Sequence, residues 1–168
     1  GRLPFSQVSN DYIFRCSSEV YGREVSKAGG NSYAYVFDHV YSQAEILSNF
    51  GLPTICTNVS CHCEEILFVF NNTVPSLNSS FTLPEEELAN TMVNWWTNFA
   101  KTGNPNSNKT IKKGYPEWPK FDVASRKTMY IQSRNSDGTG GSASIDDGVQ
   151  LGGGLLESIG EDDERNKI

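Results

Sequence analysis

Two histidines and four cysteines are the residues of this chain best suited to chemistry, and three of the cysteines lie within eight positions. His62 stands directly between Cys61 and Cys63, and Cys56 lies a few positions before them. Thiolate and imidazole groups are good zinc ligands, but a structural zinc site usually takes four ligands from two separated pairs. The second pair is missing here, so we expect neither a metal nor another cofactor.

A disulfide is the better explanation of the cysteines in an oxidising compartment. Cys56 and Cys61 enclose four residues and are candidates for a disulfide that closes the loop just before His62. The sequence leaves the partners of Cys16 and Cys63 open.

Glycosylation sequons give the same indication about the compartment. Four asparagines are each followed two residues later by Ser or Thr, with no intervening proline: Asn58, Asn71, Asn78 and Asn108. Together with the clustered cysteines, these sequons favour a secreted protein or one in the lumen of the secretory pathway.

Composition, charge and hydropathy argue against some classes of protein. The chain has 168 residues, 37% of them hydrophobic, and a formal net charge of −6, which argues against nucleic-acid binding through a basic face. Its longest apolar run, Ile66–Phe70, is far too short to span a membrane. The chain shows no signal peptide and begins without methionine, so we expect a processed or truncated protein.

The first half of the chain combines a helix, a strand and a long connection. Capping residues and apolar spacing predict a helix from Ser9 to Ala28, ended by Gly29 and Gly30. Aromatic and β-branched residues predict a strand over Ser32–Phe37, with apolar side chains on both faces as in a buried strand. Residues 39–63 form a connection without a clear period, and residues 64–70 predict one or two helical turns.

The second half contains the clearest helix signal. Thr82 and Glu85 form a capping box before a helix over Leu83–Lys101, and Gly103 can take the left-handed position after it. One face of this helix is an apolar stripe, formed by Leu88, Met92, Trp95, Trp96 and Phe99. Trp118 is expected to anchor the following loop, and Thr128–Ile131 predicts a second short strand.

Two strands are too few for an independent sheet, yet the first looks central and the Trp-rich helix needs a large packing partner. The sequence therefore indicates a piece of a larger α/β domain. We assign residues 1–132 to that piece and residues 133–168, rich in Gly, Ser and Asp, to a mostly flexible tail.

The order of these segments resembles the C-terminal third of the type-B carboxylesterase and cholinesterase family. The resemblance rests on His62, Glu65, Phe70, Trp96, the run Asn98–Pro105 (NFAKTGNP) and Trp118-Pro119, and it extends from about Asn10 to Ile131. It implies the last part of an α/β-hydrolase fold, with the last core strand, the catalytic-histidine loop, the long C-terminal helix and one edge strand.

The resemblance also implies a mechanism. In this family the triad runs Ser, Asp or Glu, then His along the chain, and His62 matches the last member. Its role would be general base toward the serine and general acid toward the leaving alcohol of a small ester. The Gly-x-Ser-x-Gly motif is absent from the chain, so the nucleophile, the acid and the oxyanion hole would come from an N-terminal remainder.

Three further expectations follow. His39 is expected to hydrogen-bond locally where the strand ends. Glu64 and Glu65 are expected to order the loop or to cap the short helix, and not to act in the triad. Cys63 stands where the family usually has glycine, a residue that often marks a special backbone angle.

The alternative function is a non-catalytic adhesion or binding module of the same fold.

Overall fold

The computed structural model describes residues 2–49, 51, 53–74, 78–107, 116–133 and 144–146. The predicted tail, residues 133–168, lies outside these residues apart from Ser133 and the last short range. No described helix has both the length and the apolarity needed to cross a bilayer.

The chain opens with one long helical segment in three parts. Helix α1 spans Arg2–Asn10, a π-helical segment spans Asp11–Arg15, and helix α2 spans Cys16–Lys27. The predicted start near Ser9 is wrong, because Asn10 has helical dihedrals (φ −62°, ψ −46°) and the helix passes straight through it. Capping residues favour a helix start without forcing one, and the preceding residues continue the helix here.

Four short elements and one long helix follow. Strand β1 spans Ala34–Phe37, helix α3 spans Ala44–Ser48, and a 3-10 turn spans Thr54–Thr57. The predicted connection 39–63 therefore contains two short helical elements. Helix α4 spans Glu65–Val69 and helix α5 spans Leu83–Thr102, both as predicted to within a few residues.

The described sheet has three strands in the order β1-β2-β3. Strand β2, Thr128–Ile131, has the predicted bounds and pairs in parallel with β1, Ala34 lying opposite Thr128. Strand β3, Ser144–Asp146, pairs antiparallel with β2. The segment predicted as an edge strand is thus flanked on both sides, and three residues assigned to the tail belong to the sheet.

The core lies between the sheet and helix α5. Trp95 and Met129 are fully buried, and the Trp95 ring centroid lies 5.5 Å from that of Trp118. The indole N–H of Trp118 donates to the Ala34 carbonyl at 3.1 Å, which ties the loop before β2 to β1. The other buried members of this core are Tyr41, Ala44, Leu47, Phe68, Leu88, Ala89, Met92 and Ile131. The core fixes β1 and α5, and these elements carry the segments around the site.

Candidate active site

His62 occupies the second position of a tight turn formed by residues 61–64, which we call the His62 turn. The backbone N–H of Glu64 donates to the Cys61 carbonyl at 3.3 Å. In the opposite direction, the Cys61 N–H donates to Oε2 of Glu64 at 3.2 Å. Two reciprocal hydrogen bonds therefore enclose His62 and Cys63.

Cys63, the third residue of the turn, has a positive φ of 76°. Turns of type II require such an angle at this position, and glycine adopts it without a Cβ clash. The structure thus gives a physical reason for the glycine that the family resemblance leads one to expect here. Cys63 is exposed and its thiol is free.

A disulfide joins Cys56 to Cys61, with Cα atoms 5.5 Å apart, as the sequence predicts. Cys56 lies in the 3-10 turn and is buried, whereas Cys61 is the first residue of the His62 turn. The disulfide therefore connects the start of the turn to a packed element. Both sulfurs and a Glu64 oxygen lie within 4.8 Å of one another, close enough to bind one metal ion. The two sulfurs are joined in the disulfide, however, so of these three residues only Glu64 keeps a group that can bind a metal.

The His62 side chain is exposed and stacks on Phe14 of the π-helical segment, with ring centroids 4.6 Å apart and planes inclined by 29°. Within the described part of the chain, the ring nitrogens of His62 have no hydrogen-bond partner. The stack fixes one face of the ring and leaves its nitrogens accessible, as a proton acceptor requires. Sequence reasoning missed Phe14, since nothing in its local pattern distinguishes it from other apolar helix residues.

His39 has the opposite environment. Its Nε2 lies 3.0 Å from Oε1 of Glu85, and its Nδ1 lies 3.1 Å from Oγ of Ser133. Ser42 and Thr82 each donate a backbone N–H and a hydroxyl to the same carboxylate, at 2.7–2.8 Å. We call these five residues the His39 cluster.

The carboxylate of Glu85 is the centre of this cluster and is 1% exposed. Burial alone would raise its pKa, but hydrogen bonds from His39, Thr82 and Ser42 outweigh burial and lower the pKa to about 2. Glu85 is also the N3 residue of the capping box on α5. The cluster therefore joins the ends of β1 and β2 to the first turn of α5, which is a structural role wider than the local bond expected for His39.

Glu64 is also buried, at 3% exposed, but its carboxylate is only half satisfied. Oε2 accepts the Cys61 N–H, whereas Oε1 is buried without a hydrogen-bond partner among the described residues. Burial raises the pKa of Glu64, and the Cys61 N–H and the nearby His39 offset this only in part. As expected, the side chain orders the loop.

The sequence profile of the carboxylesterase family matches residues 3–146, which is most of the chain. This chain belongs to the carboxylesterase family. The match includes the His62 turn and the His39 cluster, and it runs past residue 132 through strand β3.

Members of this family from several animals are similar to the chain. It is 32% identical to acetylcholinesterase 1 of Caenorhabditis elegans over 75% of its own length and 19% of the relative. It is 34% identical to a medium-chain fatty acyl-CoA hydrolase precursor of Anas platyrhynchos, over 69% of the chain and 18% of that protein. Human cocaine esterase is 35% identical over 60% of the chain and 15% of its own length. The chain thus spans about a fifth of the relatives it matches.

The glycosylation candidates of this carboxylesterase-family chain lie on its surface where the structure describes them. Asn58, Asn71 and Asn78 are exposed, and Asn71 and Asn78 have positive φ angles of 46° and 53°. Asparagine tolerates this conformation better than most residues, and it is typical of turns. Asn108 lies outside the described residues.

Proposed function

We propose that this chain is the C-terminal part of a secreted carboxylic-ester hydrolase and that His62 is its general base. The observation that supports this most is the contrast between the two histidines. Both ring nitrogens of His39 are engaged, Nε2 by the buried carboxylate of Glu85, whereas His62 is exposed and its nitrogens have no hydrogen-bond partner among the described residues. A base that takes a proton from a serine hydroxyl needs an accessible ring nitrogen.

The proposed mechanism divides the triad between two parts of one polypeptide. His62 takes the proton from a serine hydroxyl as that oxygen attacks the ester carbonyl, and then gives it to the leaving alcohol. The serine, the acidic member and the oxyanion-hole N–H groups come from residues that precede this segment, since the chain contains no Gly-x-Ser-x-Gly motif. Alone, this segment hydrolyses little or no ester.

The N-terminal helical segment supports the idea of an N-terminal remainder that packs on this piece. Phe5, Tyr12 and Tyr21 are 75%, 79% and 73% exposed along it, close in sequence to Phe14, which contacts His62. Large exposed apolar side chains in one region are typical of a surface that another part of a protein covers. Residues 1–132 belong to the shared hydrolase domain in this proposal, with strand β3, Ser144–Asp146, as the part of the predicted tail that joins its sheet, and the boundary after residue 132 stays a prediction.

The compartment and the substrate class follow from separate observations. The Cys56–Cys61 disulfide and three exposed sequon asparagines support a secreted or lumenal protein. Two of the similar proteins are named as an acetylcholinesterase and a cocaine esterase, which supports a small carboxylic ester as substrate.

The test uses the longer polypeptide that contains this segment together with the preceding hydrolase residues. Hydrolysis of a chromogenic acetate or butyrate ester is measured for the wild type and for His62→Ala. We expect His62→Ala to lower kcat by about a thousandfold or more, and added imidazole to restore part of the rate. His39→Gln is the comparison, and it should lower thermal stability without any rescue by imidazole.

Two results would contradict the proposal. Hydrolysis by His62→Ala at the wild-type rate would exclude His62 as the base. A folded wild-type polypeptide that hydrolyses none of the esters would favour the non-catalytic binding module instead.

A further inference from the structure

The buried side chain of Glu64 has a role that the base function of His62 leaves unexplained. Burying a carboxylate with one oxygen unpaired is costly, and an apolar side chain of similar size would fill the same space at less cost. What the carboxylate provides is an acceptor for the N–H of Cys61, the residue directly before His62.

The Cys61 N–H is one of the groups that hold the His62 turn in place. The Cys56–Cys61 disulfide fixes the side chain of Cys61, and the Glu64 N–H bond to the Cys61 carbonyl closes the turn from the other side. The bond from the Cys61 N–H to Oε2 of Glu64 constrains the preceding peptide unit, Ser60–Cys61, through which the chain enters the turn. Without it, that unit can rotate and carry the imidazole away from its place.

The position of Glu64 also excludes it as a direct partner of the imidazole. Its Oε2 contacts the Cys61 N–H, and no described hydrogen bond joins its carboxylate to the His62 ring. Its effect on chemistry would therefore act through the backbone of the turn.

We propose that Glu64 is the positioning residue of His62, acting through the hydrogen bond that Oε2 accepts from the Cys61 N–H. The inference rests on the proposed base role of His62. A general base works only when its nitrogen lies within hydrogen-bond reach of the proton it takes, and a misplacement of about 1 Å can cost a hundredfold in rate. Loss of the bond should therefore lower kcat much more than it changes KM.

The experiment compares variants at Glu64 in the same longer polypeptide, with active sites counted by a serine-directed fluorophosphonate. We expect Glu64→Ala to lower kcat per titrated site by about tenfold or more, with KM changed by less than about twofold. Glu64→Gln keeps an acceptor oxygen at the same place, so its kcat should stay within about threefold of the wild type. Glu45→Ala, which removes an exposed carboxylate from helix α3, is the matched control.

Glu64→Asp keeps the experiment decisive if the alanine variant does not fold. It retains the carboxylate but withdraws it by one methylene from the Cys61 N–H, so kcat should fall between the values for wild type and for loss of the base. Unchanged kcat in Glu64→Ala or Glu64→Asp, while His62→Ala is inactive, would overturn this inference alone. Equal losses in Glu64→Gln and Glu64→Ala would also overturn it, because the charge and not the acceptor would then matter. An active His62→Ala would instead overturn the proposed function itself.

Discussion

Nε2 of His39 lies 3.0 Å from Oε1 of Glu85, and this contact joins the residue after strand β1 to the first turn of helix α5. The two residues are 46 positions apart in the chain. The same carboxylate accepts the N–H and the hydroxyl of Thr82, which caps α5. One buried side chain therefore stabilises both the helix start and its attachment to the sheet.

Stability should depend on the ionisation of Glu85. Its pKa is lowered from an ordinary value near 4.5 to about 2, so its contribution is fully present above pH 4.5 and is lost as the pH falls toward 2. A depression of this size corresponds to roughly 3 kcal/mol. The free energy of unfolding, measured with urea between neutral and acidic pH, should show this loss in the wild type. In Glu85→Gln the same free energy should change much less with pH. The exposed neighbour Glu86 supplies the control variant Glu86→Gln, and equal pH dependence in all three proteins would contradict the prediction.

Replacing Cys63 by glycine should stabilise the His62 turn. A side chain at a φ of 76° costs about 1–2 kcal/mol, and the extra freedom of glycine in the unfolded chain cancels part of the gain. We expect a net increase of about 0.5–1 kcal/mol in the free energy of unfolding, measured by urea denaturation. Cys63→Ala removes the thiol and keeps the Cβ, so it should give no such gain. An equal gain in both variants would show that the thiol, and not the backbone angle, is the cause.

Local signals were sufficient to predict helix α5. Thr82 and Glu85 form its capping box, and Gly103 ends it with a φ of 70° in the left-handed region. All three residues act within one turn of the helix end they specify, so their effect can be read from spacing alone. The Cys56–Cys61 disulfide was predictable for the same reason, because its short loop confines both residues to one neighbourhood.

Tertiary contacts explain what the sequence did not predict. The stack of Phe14 on His62 and the bond of Ser133 to His39 each join segments that only the tertiary fold brings together. Strand β3 lies in a Gly- and Ser-rich stretch whose local preferences oppose a strand, and its pairing with β2 overrides them. The wider role of His39 has no local signal in the sequence, since its partners lie on α5 and after β2.

The exposed sequons predict N-glycosylation in a secretory host. Asn58, Asn71 and Asn78 are exposed acceptors, so each should carry a glycan, and peptide N-glycosidase F should lower the apparent mass in proportion. Changing each asparagine to glutamine should remove one step of that mass shift. Asn49→Gln, at an exposed asparagine outside any sequon, should leave the mass shift unchanged. A secreted product that the glycosidase does not alter would contradict both the site assignment and the proposed compartment.

The stack of Phe14 on His62 should contribute to the rate of ester hydrolysis. The centroids of the two rings lie 4.6 Å apart. Removing the Phe14 ring frees the imidazole of His62 to adopt other rotamers. A smaller fraction of the molecules then holds the imidazole in the position needed for proton transfer. In the longer polypeptide we expect Phe14→Ala to lower kcat by about threefold to tenfold, and Phe14→Tyr, which keeps a stacking ring, to stay near the wild-type rate. Phe5→Ala removes another exposed phenylalanine of the same helical segment and should leave kcat unchanged. Equal effects of Phe14→Ala and Phe5→Ala would show that loss of an apolar helix surface, and not of the stack, lowers the rate.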